Sequence, residues 1–110
     1  MRLRPLPMIF LVVGASVGVA APAGDAHAGH AVYDKSCRAC HGSEGQGNPG
    51  IAKALNVTMH ELGSAEVQSK SDAELKKIIS EGKGKMKPVK TLSGDEVQNV
   101  IAYIRSLAKK

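Results

Sequence analysis

The sequence predicts an all-α fold in which short helices pack around a body not made of side chains, and three observations lead there. Ser71, Asp72, Ala73 and Glu74, and again Ser93, Gly94, Asp95 and Glu96, are capping boxes, and apolar residues follow each at helical spacing. The strand signal is weak throughout. From Gly24 onward only 87 residues remain, and their aromatic side chains are Tyr33 and Tyr103 alone. So short a chain, without side chains that bury ~150 to 250 Å² each, does not close a core by itself. Something else must fill the interior.

The elements follow in chain order. Arg2 and Arg4 form a positive start, Ile9 to Ala21 is a 13-residue apolar stretch, and small residues surround Ala23 and Ala28. This is the pattern of a secretory signal, too short to span a bilayer core. Cleavage after Ala23 is expected, with Ala28 the other site, so residues 1–23 are read as signal peptide and 24–110 as one domain. Asp25 caps a first helix running to about Cys40, with Gly29, Tyr33, Cys37 and Cys40 broadly on one face. Gly42 to Gly50 is a loop by composition, and Ile51 to Val57 a short helical turn. The Ser71 box opens a helix with Leu75, Ile78 and Ile79 as its apolar stripe, stopped near Gly82. The Ser93 box opens the last helix, striped by Val97, Val100, Ile101, Ile104 and Leu107, with Lys109 and Lys110 suited to its negative carboxyl end.

Cys37, Arg38, Ala39, Cys40 and His41 spell C-x-x-C-H, the attachment signature of c-type haem. Two thiols three positions apart can each add across a vinyl group of one porphyrin, while the adjacent imidazole reaches its iron. A zinc site would want a second ligand pair, and the chain has no other cysteine. A thioredoxin-like redox pair would want a βαβ surround, which is missing. One covalently bound haem c is therefore expected, and it is the body that completes the core.

His41 is the expected proximal metal ligand, its other ring nitrogen donating to a backbone carbonyl. For the sixth position Met86, in the Gly82, Lys83, Gly84, Lys85, Met86, Lys87, Pro88 loop, is preferred, because such a loop can drape over the opposite haem face. Met59 and its neighbour His60 are the rivals, since chain reach excludes neither. Two axial ligands close the iron to substrates and raise its potential, which leaves electron transfer as the chemistry and no enzymatic activity. Ile51, Ala54, Leu55, Leu75, Ile79, Val89, Val97 and Ile101 supply the expected pocket lining.

On these residues the chain resembles the class I c-type cytochromes, particularly the short monohaem bacterial carriers, over its whole length from Gly24. Gly29 and Tyr33 match the small and aromatic positions where that family's first helix crosses its last, and Val100 and Tyr103 fit the answering positions. The Gly45 to Gly50 loop is similar to the segment on the proximal side. The resemblance implies that Pro49 offers the carbonyl that takes the His41 hydrogen bond, and that Lys85, Met86 and Pro88 form the axial-methionine loop. Lys87 stands where the family usually has Pro directly after the methionine, and Met59 to Lys70 matches none of its motifs.

The whole chain carries a net charge of +5; without Arg2 and Arg4 its 15 basic residues become 13 against 10 acidic ones, or +3. The lysines are not interleaved with base-stacking aromatics, which speaks against nucleic acid. Lys83, Lys85, Lys87 and Lys90 read either as a collar steering the haem edge onto acidic patches of redox partner proteins or as a solubilising loop. Asp72, Glu74, Asp95 and Glu96 read as helix starts, not as catalytic carboxylates, and His27 and His30 as exposed. The expectation is an exported, periplasmic, monomeric one-electron carrier, free of the membrane once its signal is removed. The alternatives are a gas-binding module, a subunit of a larger redox complex and a thiol oxidoreductase.

Overall fold

The structure is a computed structural model that describes residues 2–14 and 24–109. The expected cleavage position at Ala23 and Lys110 lie outside the described residues. Residues 2–14 form neither helix nor strand, and Leu3, Leu6, Met8, Ile9, Phe10, Leu11, Val12 and Val13 are all exposed. From Gly24 to Lys109 the chain is helical, with no strand among the described residues.

Helix α1 covers Ala26–Ser36, and Asp25 caps it by accepting from the amides of His27 and Ala28. It ends earlier than the sequence suggests. At Cys37 the backbone leaves the helical region, and a separate single turn, α2, covers Arg38–His41. The Cys37 amide still reaches the Tyr33 carbonyl at 2.8 Å, while the Cys37 carbonyl takes the amides of both Cys40 and His41. The attachment motif thus sits on a turn of its own.

Helix α3, Pro49–Leu55, begins inside the segment expected to be a loop. Asn48 is its cap, its side chain accepting from the amides of Gly50 and Ile51, and Pro49 supplies the pre-set φ of a first helical residue. Asn56 ends it in the left-handed conformation. The stretch without a motif contains a further short helix, α4, Ala65–Gln68.

Helices α5, Asp72–Glu81, and α6, Gly94–Ser106, form as predicted, and in both the reciprocal capping-box bonds are made. Their apolar stripes meet α1 in one cluster of Tyr33, Leu75, Ile79, Val97, Val100, Ile101, Tyr103 and Ile104, with no polar or charged residue buried among them. Gly29 faces Asn99 and Val100 where α1 crosses α6, so the helices touch backbone to backbone. The Gln68 side-chain amide donates to the carbonyls of Leu62 and Ile104. Arg105 donates to the carbonyls of Gln68 and Lys70 and to the Asp72 carboxylate. These bonds fasten the α4 to α5 segment onto the end of α6. Lys109, expected to serve the carboxyl end of α6, instead pairs with Glu61.

Candidate cofactor site

Besides its own backbone bonds, the attachment turn is braced by three further hydrogen bonds. Tyr33, completely buried on α1, donates its hydroxyl to the Gly42 carbonyl at 2.6 Å, directly after His41. The Gly47 amide donates to the His41 carbonyl, and the Asn48 side-chain amide donates to the Ala39 carbonyl at 3.1 Å. Asn48 therefore starts α3 and braces α2 with the same side chain. Sequence reasoning missed this second duty, although Asn before Pro is a readable helix-start signal.

Both thiols are free; Cys37 is half-buried against the core cluster and Cys40 is exposed. Burial, and after it the neighbouring Cys40, pushes the Cys37 thiol up to about 11. A redox-active pair is favoured by the opposite shift, towards a stable thiolate, so this burial does not activate Cys37 as a nucleophile.

His41 is half-buried, and desolvation holds its pKa below the usual imidazole range, which favours the neutral ring that a metal ligand needs. Its Nδ1 is buried and without a hydrogen-bond partner. The bond expected from His41 to the Pro49 carbonyl is not made in this structure, where Pro49 stands exposed at the first turn of α3.

The two methionines lie in different surroundings. Met86, half-buried, closes a tight turn with Lys83: each residue's amide donates to the other's carbonyl at 3.0 Å. Met59, also half-buried, packs beside Gly47, whose amide holds the His41 carbonyl. His60 points its Nδ1 at Glu66, 2.8 Å away, and both are exposed. Among the expected lining residues Leu75, Ile79, Val97 and Ile101 belong to the closed core and Ile51 and Val89 are half-buried. Ala54 and Leu55 are exposed, and α3 as a whole buries no residue.

Lys83, Lys85, Lys87 and Lys90 are all exposed. Glu74 and Glu96 serve as capping residues and Asp72 receives Arg105. His27 and His30 are exposed, but His30 also stacks on Tyr103 with ring centroids 4.5 Å apart. Tyr103 and Val100 lie buried on α6.

This donor set fits a covalently held haem on its chemistry: two free thiols three positions apart, an imidazole directly after the second whose Nδ1 is buried without a partner, and apolar residues Ala54 and Leu55 left exposed on α3. Short helices crossing through a glycine, with this turn fastened to them, define a c-type cytochrome. Residues 24–104 match the family described as cytochrome c oxidase, cbb3-type, subunit III, and the chain belongs to that family of cytochrome c domains. It is 39% identical over 93 residues to cytochrome c-554(547) of Halothiobacillus neapolitanus, an alignment taking in 77% of this chain and 99% of that protein. Among solved structures it resembles the KustC0563 c-type cytochrome with a TM-score of 0.64 and 28% identity, over 74% of this chain and 98% of that one. The protein is thus a class I monohaem c-type cytochrome, an electron carrier with covalently bound haem c that exchanges electrons with redox partner proteins. No helix among the described residues is long and apolar enough to cross a membrane.

Proposed function

We propose that this chain is an exported one-electron carrier without a substrate of its own, in which Cys37 and Cys40 hold the haem through thioethers and His41 and Met86 are the axial ligands. When bound, haem c supplies the one-electron ferric/ferrous couple. The observation that carries the proposal is His41, half-buried with its Nδ1 unpartnered at the end of a turn braced by Tyr33, Gly47 and Asn48. That bracing fixes the backbone of the turn that carries both thiols and the imidazole.

The choice of Met86 is supported by the placement of its rivals. Met59 packs on the loop that leaves His41 and so belongs to the same wall as the proximal ligand, where its thioether serves as an apolar plug. His60 is turned to Glu66 and solvent. Met86 stands on a separate turn tied to the end of α5, where the Val89 amide donates to the Ile79 carbonyl at 2.8 Å. Pro49 is kept in the proposal as the acceptor for Nδ1 of His41, because that buried atom lacks one.

Export is supported by the N-terminal apolar run, which is exposed along residues 3–13 and contributes nothing to the core. Cleavage after Ala23 keeps Asp25, whose carboxylate caps α1 and whose amide donates to the Asn99 side chain at 2.8 Å. Cleavage after Ala28 would delete both. The subunit alternative draws on the family's description, while the carrier reading draws on a curated relative that is a cytochrome matched over 99% of its own length. The protein is proposed to work in the periplasm as a monomer, with its exposed lysines meeting acidic patches on redox partners.

The test is the ferric holoprotein's weak long-wavelength charge-transfer band, together with carbon monoxide binding to the reduced protein. Met86→Ala should abolish the band and open the iron to carbon monoxide, while Met59→Leu keeps the band. A band that survives in Met86→Ala and disappears in Met59→Leu reverses the assignment. Rapid carbon monoxide binding by the unaltered protein would favour the gas-binding module instead.

A further inference from the structure

We propose that Gly82 is a positioning residue for Met86, and that Gly82 to Val89 forms a clasp fixing the methionine backbone to the end of α5; the proposal rests on Met86 as the sixth ligand. Gly82 ends α5 at φ 78°. A Cβ at this residue would stand 2.5 Å from the Met86 carbonyl oxygen, 2.9 Å from the Pro88 nitrogen and 3.0 Å from Pro88 Cδ. The first two are backbone atoms and the third belongs to a rigid ring, so none can swing aside.

The same backbone is tied at three further points. Lys83 and Met86 exchange two amide-to-carbonyl bonds of 3.0 Å, and the Val89 amide donates to the Ile79 carbonyl on α5. The Met86 carbonyl is therefore held between the Lys83 amide and the bare Cα of Gly82. Lys87, which separates Met86 from Pro88, does not loosen this arrangement, because the turn is closed before Lys87 by the Lys83 pairing. Pro88 then folds back over Gly82.

Gly84 provides the internal contrast. Its φ is also positive, 56°, but nothing lies within 4 Å of the place a Cβ would occupy. A side chain there meets only backbone strain, whereas one at Gly82 must push Met86 or Pro88 away. The two glycines also differ in backbone, Gly82 standing at φ 78° and ψ 171° and Gly84 at φ 56°, but only Gly82 has Met86 and Pro88 packed where a side chain would go.

The experiment uses the ferric holoprotein with imidazole as the competing ligand, and reads both its affinity and the long-wavelength band. Gly82→Ala should bind imidazole about tenfold or more tightly than the unaltered protein and lose part of the band, while Gly84→Ala stays close to the unaltered protein on both. Equal behaviour of the two variants, or an unchanged Gly82→Ala, overturns the positioning role. Should Gly82→Ala yield no holoprotein, amide hydrogen exchange of the unaltered holoprotein decides: the Lys83, Met86 and Val89 amides should be protected, and exchange as fast as a free loop overturns the clasp. A band that survives Met86→Ala defeats the ligand assignment itself, a result separate from either of these.

Discussion

Gly29 lies against the carbonyl of Asn99, so close that a methyl group on its Cα would overlap that oxygen and crowd the Val100 amide. Since Asn99 is in the middle of α6, neither backbone can move aside without unpicking helix hydrogen bonds. Gly29→Ala should destabilise the ferric holoprotein by about 1 to 3 kcal/mol or more in denaturant unfolding. Gly94→Ala, at a helix start with open space around it, is the matched control and should be near neutral. A Gly29→Ala protein as stable as the control contradicts the crossing.

Tyr33 links the crossing to the attachment turn through its bond to the Gly42 carbonyl. Tyr33→Phe should cost on the order of 1 kcal/mol at neutral pH. Burial above all raises the Tyr33 pKa, to about 12 while Cys37 is a free thiol, and that burial remains when Cys37 is a thioether. Between pH 10 and 12 the unfolded chain has lost this proton and the folded one has kept it, so stability falls as pH rises through that window. Below pH 10 this group adds no slope. Tyr33→Phe should flatten the alkaline decline measured by denaturant midpoints, and an identical slope in both proteins would discount Tyr33 as its source.

Arg105 gathers two carbonyls and one carboxylate from the segment between α4 and α5. Arg105→Ala leaves the half-buried acceptors on Gln68 and Lys70 without their donor and should cost about 2 kcal/mol. Asp72→Asn, which keeps both backbone acceptors satisfied, should cost well under half as much. Comparable losses in the two variants would place the energy in the ion pair instead.

How much of this was readable beforehand depends on the range of the interaction. The α5 and α6 boundaries were legible because Ser71 with Glu74, and Ser93 with Glu96, satisfy each other within one turn. The attachment motif was legible for the same reason. The break between α1 and α2 was not, because it depends on the Cys37 carbonyl taking two amides at once, which no residue type announces. Asn48 and Pro49 fall in a glycine-rich stretch whose composition signals a loop, although together they start α3. Gln68 and Arg105 act across more than thirty residues of sequence, and nothing local marks them. The Gly-Lys-Gly-Lys run announced a loop, but not that Lys83 and Met86 would close it.

Lys83, Lys85, Lys87 and Lys90 stand exposed around the Met86 turn. If they steer partners, electron exchange with an acidic redox protein should slow steeply as ionic strength rises towards ~0.15 M, where the screening length is ~8 Å. Replacing all four with Gln should remove most of that salt dependence while leaving the rate at high salt little changed. A rate indifferent to salt makes the lysines solubilisers.

Whether this polypeptide holds one haem through Cys37 and Cys40 is decided by the mass of the denatured chain. Exported protein made with cytochrome-maturation machinery should begin at Gly24 and carry the added mass of one haem, localised by proteolysis to the peptide containing Cys37, Cys40 and His41. A denatured chain with the mass of the bare polypeptide, after that maturation and export, rules out covalent attachment.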